Sequence, residues 1–394
     1  PVIGSVVNND AVEDFSGGNL MLKWNNEINK NLNLDVKSYL DYVYRDFDYI
    51  LEQQIITYDF DIQLNYNEGI HNAVAGANIR HIKDDLTNTA ALSYSPENTS
   101  LINYSFFIQD RLNLIKDKLY LTIGSKFDYT EYTNFEFQPN IRALWQVTKD
   151  HSIWAAVSRA VRTPSRGEDS ISSLTSPSLP LGAAIQVGNP SFQSEKLHAY
   201  EMGYRGDITK DVYFDITAFF NDYHDLRNFE RISTSPITVE AQNLGFGETY
   251  GFEAYTVAGL YDNWDVKVGY TILAQDFHTK ARSNGSSLEN DEKRSPKQQY
   301  SITSLLDINE EISFDNTLYY VSDLTYFTAI GNKRKISSYT RFDTKITWKP
   351  EKNMEFSLIG QNLFDDWHQE FDEFIYSTAS EVPRTFLAQA KFKF

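Results

Sequence analysis

Apolar and polar residues alternate along most of this chain with a period of two, the period of a strand with one apolar and one polar face. Tyr58, Phe60, Ile62, Leu64 and Tyr66 fall on one side, and Asp59, Asp61, Gln63 and Asn65 on the other. In the same way Val212, Phe214, Ile216, Ala218 and Phe220 oppose Tyr213, Asp215, Thr217 and Asn221. Phe342, Thr344, Ile346 and Trp348 oppose Arg341, Asp343, Lys345 and Thr347. The chain ends on the same pattern, with Phe386, Ala388, Ala390, Phe392 and Phe394 against Thr385, Gln389, Lys391 and Lys393. The second face carries too many charges for a packed core, where each unpaired charge would cost several kcal/mol. It must therefore meet water or a polar filling, while the apolar face meets lipid or a second sheet.

The connections narrow that choice. Short polar turns are expected at residues 28–31, 66–69, 116–118, 149–151, 206–210, 260–263, 308–311 and 350–353. Longer polar stretches are expected near residues 45–53, 83–99, 129–135, 162–195, 225–246, 277–296, 322–337 and 365–381. Regular exchange of short and long connections fits an up-and-down transmembrane barrel, short-turned on one side of the membrane and long-looped on the other. Counting back from Phe394, the eight short turns give about 17 strands, an odd number, whereas bacterial barrels close with an even one and plugged transporters reach about 22. The expectation is an all-β, antiparallel, incomplete barrel. Residues 1–16 would be an extracellular loop and residues 17–394 the strands.

Tryptophan placement decides between lipid and sheet. Trp24, Trp145, Trp154, Trp264 and Trp348 all lie close to short turns, and Trp367 lies in a long loop. Indole prefers the membrane interface, so these five are expected to form a girdle at one membrane face. Charged residues on the opposite strand faces, Lys37, Asp41, Asp59, Asp61, Lys126, Asp128, Glu201, Arg205, Arg341 and Lys345, are expected to line a hydrated lumen.

Composition excludes more than it assigns. The 394 residues carry a net charge of −18 and no Cys, so disulfides, Cys-ligated metals and thiol catalysis are out. Mean hydropathy is −0.45, and no apolar run approaches the roughly 20 residues of a membrane helix. The acidic balance argues against a nucleic-acid partner. The first residues, PVIGSVVNNDAVEDF, lack the basic and apolar regions of a signal peptide. No GxSxG, HExxH or P-loop spacing occurs, so no enzyme is expected. His71, His81, His151, His198, His224, His278 and His368 are scattered, with no two at metal-ligand spacing on one strand, so neither metal nor cofactor is expected.

Several segments resemble a known family. HSIWAAVSRAVRTPSRGE (His151 to Glu168) and GNPSFQSEKLHAYEMGYR (Gly188 to Arg205) are similar to the mid-barrel signature of TonB-dependent outer-membrane receptors. FFIQDRLNL, SYTRFDTKITW, QNLFDDWHQEF and the terminal PRTFLAQAKFKF look like the same family in the same order. The resemblance implies the C-terminal part of such a receptor, with the TonB box, plug domain and first strands outside this chain. It implies active uptake of a scarce ligand, usually a ferric siderophore or another iron complex, across the outer membrane of a Gram-negative bacterium. The implied partners are the TonB–ExbB–ExbD complex acting through the plug, membrane lipid and lipopolysaccharide, and the barrel-assembly machinery, which would read Phe394. Haem receptors of this family carry a histidine between an arginine-proline and an asparagine-proline motif. The segment here, Arg162-Thr163-Pro164 to Asn189-Pro190, has none.

Ligand contacts are sought at the loop ends. Cations at the rim would attract an anionic ferric chelate, which selects Arg159 and Arg162; strand-end solvation is their alternative role. Aromatic and imidazole groups select Tyr223, His224, Tyr319, Tyr320, Trp367 and His368, which equally suit an outer aromatic girdle. Glu289, Asp291 and Glu292 would bridge lipopolysaccharide through divalent cations or keep their loop solvated. Two other readings use the same pattern: a passive porin-like channel, and a soluble all-β binding module.

Overall fold

The computed structural model describes residues 13–47, 50–174, 185–285, 287–327, 333–371 and 380–393. Residues 1–12 of the expected external loop, and Phe394, lie outside them. Long strands follow one another as β1 (Glu13–Asn29), β2 (Leu32–Phe47), β3 (Leu51–Glu68), β4 (His71–Thr87), β5 (Asn98–Ile115), β6 (Leu119–Thr130), β7 (Asn134–Gln146) and β8 (His151–Arg162). They continue as β9 (Glu195–Thr209), β10 (Val212–Thr234), β11 (Ile237–Tyr261), β12 (Trp264–Thr279), β13 (Gln298–Asp307) and β14 (Ile312–Val321). The last three are β15 (Tyr339–Glu351), β16 (Met354–Gln361) and β17 (Thr385–Phe392). Each pairs antiparallel with its neighbours in chain order within one sheet, and among the described residues β1 pairs only with β2 and β17 only with β16. The first strand starts at Glu13, four residues ahead of the expected boundary.

Register explains why one face stays apolar. β3 and β4 pair from Glu52↔Thr87 to Glu68↔His71 without a shift, so the alternation is never inverted. Tyr58, Phe60, Ile62, Leu64 and Tyr66 are all exposed, as are Phe106, Ile108, Ile123, Phe137 and Ile141 on later strands. The few large side chains that are fully buried, Phe192, Leu86, Leu244, Asn228 and Asn362 among them, sit at the loop end of the strands. Among the described residues the sheet thus turns its apolar surface outward and no conventional core lies beneath it, as a lipid-facing barrel wall requires.

The eight short turns lie at residues 30–31, 69–70, 116–118, 147–150, 210–211, 262–263, 308–311 and 352–353. Gly69 and Asp117 take φ of +61° and +57°, the left-handed geometry tight turns need. The other end departs from expectation. The β2–β3 and β6–β7 connections shrink to residues 48–50 and 131–133, and the expected loop 225–246 is a two-stranded extension of β10 and β11 that turns at residues 235–236. Its polar composition reads as loop, but the ladder from Asn228↔Gln242 to Thr234↔Ile237 satisfies the backbone, and the polar residues it buries find partners in the next loop. Short helices at Arg166–Ser170 and Ser287–Asp291 occupy two of the true loops, and no described helix is long and apolar enough to cross a membrane.

Candidate functional site

The polar face is the first element of the site. Cross-strand register places Lys37, Asp41, Asp59, Asp61, Lys126, Asp128, Glu201, Arg205, Arg341 and Lys345 all on the side opposite the apolar band. Their charges are answered locally. Arg80 Nε donates to Asp59 at 2.7 Å and Asn78 Nδ2 donates at 3.1 Å, so the buried Asp59 carboxylate is paired. Lys126 meets Asp128 at 2.8 Å, and Tyr39 donates its hydroxyl proton to Asp41 at 3.0 Å. Arg341 grips Asp343 through two nitrogens, at 2.9 and 2.7 Å. Lys37, Asp59, Asp61, Lys126 and Asp128 share one open cavity with Arg80. Where opposite charges stand side by side, as at Asp59–Arg80, Lys126–Asp128 and Arg341–Asp343, the local field is reduced while the wall stays polar.

The second element ties the longest loop to the strand ends, and it centres on a residue that sequence reasoning missed. The helix Arg166–Ser170 is capped by Ser165, whose hydroxyl accepts from the Glu168 N–H while the Glu168 carboxylate accepts from the Ser165 N–H at 2.9 Å. That carboxylate also accepts from Arg162 Nη1 and Nη2 at 3.0 and 2.8 Å and from Arg227 Nη1 at 2.9 Å. Glu195 closes the circuit, accepting from Arg162 Nε and from the Arg227 N–H. Burial pushes the Glu168 carboxyl up, but the bonds from Arg162 and Ser165 and the charges of Arg162 and Arg227 outweigh it and hold the group at about 2. The Ser-x-x-Glu spacing of a capping box was the available sequence signal. Alongside, Arg166 reaches Asp84 at 3.1 Å, with both side chains nearly buried.

The expected rim residues separate. Arg162 belongs to this network, and Arg159 engages Glu136 at 3.6 Å and donates to the Phe137 carbonyl. Tyr223 faces the lumen side against Phe277, while His224, the next residue, faces outward. Tyr319 lies under the Arg341 guanidinium at 6.0 Å, whereas Tyr320 faces outward and packs at a tilt against Tyr300, with ring centroids 5.1 Å apart. His368 is buried against Tyr339, with ring centroids 4.1 Å apart, and Trp367 is exposed. Two histidines absent from any single-strand spacing, His198 and His224, meet across neighbouring strands with centroids 5.5 Å apart.

Trp24, Trp145, Trp264 and Trp348 lie on the apolar face close to short turns. Trp154 does not. Its neighbour Ile153 takes the outward position, so period two sends the indole to the polar face, in register with Gly203 and 5.3 Å from the Arg142 guanidinium. A Cβ at Gly203 would fall 2.5 Å from the indole Nε1, so the glycine makes the room.

A family model described as "TonB dependent receptor-like, beta-barrel" matches residues 5–363. The siderophore receptor PirA of Acinetobacter baumannii superposes with a TM-score of 0.77 at 13% identity, covering 97% of this chain and 63% of that one. The ferric-catecholate import receptor Fiu of E. coli K12 gives 0.73 at 14% identity, covering 100% and 65%. A curated protein of Acinetobacter baumannii, "Probable TonB-dependent siderophore receptor PiuA", is 23% identical over an alignment of 193 residues that covers 46% of this chain and 24% of that protein. The chain therefore spans less than two thirds of the length of these relatives.

Proposed function

Because the chain belongs to the TonB-dependent receptor β-barrel family, we propose that it forms barrel wall of a Gram-negative outer-membrane transporter for a ferric siderophore or another iron complex. The observation that carries this reading is the division of the described strands into an outward apolar face and an opposite polar face, on which charges such as Asp59, Lys126 and Arg341 meet an opposite charge on the same side. A bulky, charged iron complex crosses the membrane only along such a hydrated path. Capture falls to the loop end, where Tyr223, Tyr319 and Trp367 offer aromatic contacts. Arg159 and Arg162 act there by exchanging carboxylate partners for an anionic ligand. His224 and Tyr320, facing outward, belong to the membrane interface. Energy enters through a plug pulled by TonB–ExbB–ExbD, lipopolysaccharide meets the acidic loop at Glu289, Asp291 and Glu292, and the assembly machinery reads Phe394.

The test is accumulation of radiolabelled iron, supplied as single defined complexes, by cells with and without the intact gene. Uptake of at least one complex is expected to need the gene and to stop with a protonophore. A polar wall also serves a passive channel. Gene-dependent uptake that ignores the protonophore, with steady conductance in planar bilayers, would transfer the assignment to a porin-like pore.

A further inference from the structure

A cluster of ligating side chains lies on the outward face, away from both the lumen wall and the Glu168 network. His198 in β9 is in register with Asp222 in β10, and Lys196 with His224 two residues nearer the loops. Period two puts all four on the face that carries Tyr200 and Phe220, one step nearer the short turns. This is the level at which the apolar band gives way to charge. The His198 and His224 rings meet edge to face, and His224 Nε2 lies 3.0 Å from Asp222 Oδ2. One nitrogen of each imidazole and one oxygen of Asp222 all fall within 4.8 Å of one another. A tetrahedral zinc ion with bonds of about 2.0–2.2 Å holds its donors about 3.5 Å apart, so small side-chain rotations complete the set.

An independent feature of the same rim calls for positive charge. Glu248 in β11 is in register with Asp222 on one side and with Asp276 of β12 on the other. Three carboxylates therefore stand abreast across three strands, at the spacing of about 4.5–5.5 Å where facing like charges destabilise a sheet. Among the described residues none of the three is ion-paired to Lys or Arg. Lys196, the cation beside them, is held by Asp225 at 2.7 Å, and Arg159, in register with His198, is turned to Glu136.

The geometry points to a divalent transition-metal site at the outer edge of the apolar band, with His198, His224 and Asp222 as protein ligands and Glu248 next in line. Two imidazoles and a carboxylate suit zinc, cobalt, nickel or copper, whereas calcium and magnesium take oxygen ligands. The site faces away from the lumen, so its ion is a cross-tie between β9 and β10 rather than cargo. It is independent of what the barrel transports.

The test uses the full protein in detergent micelles, stripped with a chelator and titrated with Co2+ followed by visible absorption, then with Zn2+ as competitor. One equivalent of Co2+ is expected to bind and to be displaced by Zn2+ but not by Ca2+. H198A and H224A should each weaken binding by about tenfold or more, D222N should weaken it, and H278A should leave it unchanged. Heat-modifiable electrophoretic mobility checks that each variant remains a folded barrel. E248H, which adds a third imidazole in register with Asp222, should tighten binding. Absence of stoichiometric binding by the unaltered protein, unaltered affinity in H198A and H224A, or no gain in E248H would each overturn the site.

Discussion

Replacing Glu168 by Gln keeps the shape of the capping box and removes the charge that Arg162 and Arg227 share. A carboxyl held at about 2 instead of the ordinary 4.5 favours its charged form at neutral pH by about 3 kcal/mol. The two arginine side chains are 44% exposed, and solvent screening reduces the usable part to about 1–2 kcal/mol. Because the folded carboxyl lies below its unfolded value, this stability is complete above about pH 4.5 and is lost as the pH falls toward 2. The loop opens locally rather than with the barrel, since Glu168 bonds join it to strand ends without entering the sheet ladder. Hydrogen exchange read by mass spectrometry, corrected for intrinsic rates, should be about 5- to 30-fold faster in E168Q at pH 7. The affected amides include Asp169, Gly188 and Asn189, whose N–H groups bond within this loop. In the unaltered protein the same protection should fade between pH 4.5 and 2, and in E168Q it should show no step there. Equal protection in both proteins at pH 7 would refute the role given to this carboxylate.

Glu230 offers a parallel case, since Asn228, Ser283 and the N–H groups of Asn284 and Gly285 all donate to its buried carboxylate; Glu230→Ala should cost about 1–3 kcal/mol and raise exchange at residues 283–285. Burial pushes this carboxyl up but those bonds hold it below the usual range, so protection at residues 283–285 should also weaken as the acid range is entered from neutral pH. Gly203→Val drives a side chain into the Trp154 indole and should lower barrel stability by about 1–3 kcal/mol, read as a lower temperature for loss of the heat-modifiable form. Single-tryptophan variants in bilayers with spin-labelled lipid should be quenched strongly at Trp24, Trp145 and Trp348 and weakly at Trp154; strong quenching at Trp154 would contradict its lumen-side placement.

What the sequence makes legible follows from how local each feature is. Alternation is a property of neighbouring residues, so strand faces such as Tyr58 to Tyr66, the short turns and the polar face can all be read from a single chain. The hairpin of residues 225–246 is hidden because its buried polar residues, Asn228 and Glu230, look like loop until Ser283 and Asn284 are seen bonding to the carboxylate. Cross-strand register is invisible to local pattern, which is why the His198–His224 pair escapes it, whereas the face of Trp154 follows from alternation with Ile153 and Val157 and is misplaced only by its nearness to a turn. The Glu168 network joins β8, β9 and β10 and was announced only by one Ser-x-x-Glu spacing.

Among the described strands, the two at the edges of the sheet run in the same direction. β1 and β17 both descend from the loop end to the short-turn end, because an even number of reversals separates them. Bringing those edges together would make a parallel seam in an otherwise antiparallel wall, with the slanted and slightly weaker hydrogen bonds of parallel pairing. A wall that stays antiparallel all round needs an odd number of further strands between the edges, whichever chain supplies them. A set of peptides built as one, two or three strands of such a barrel could therefore be sorted by topology alone: those with an odd strand count can bridge both edges, and those with an even count can satisfy only one.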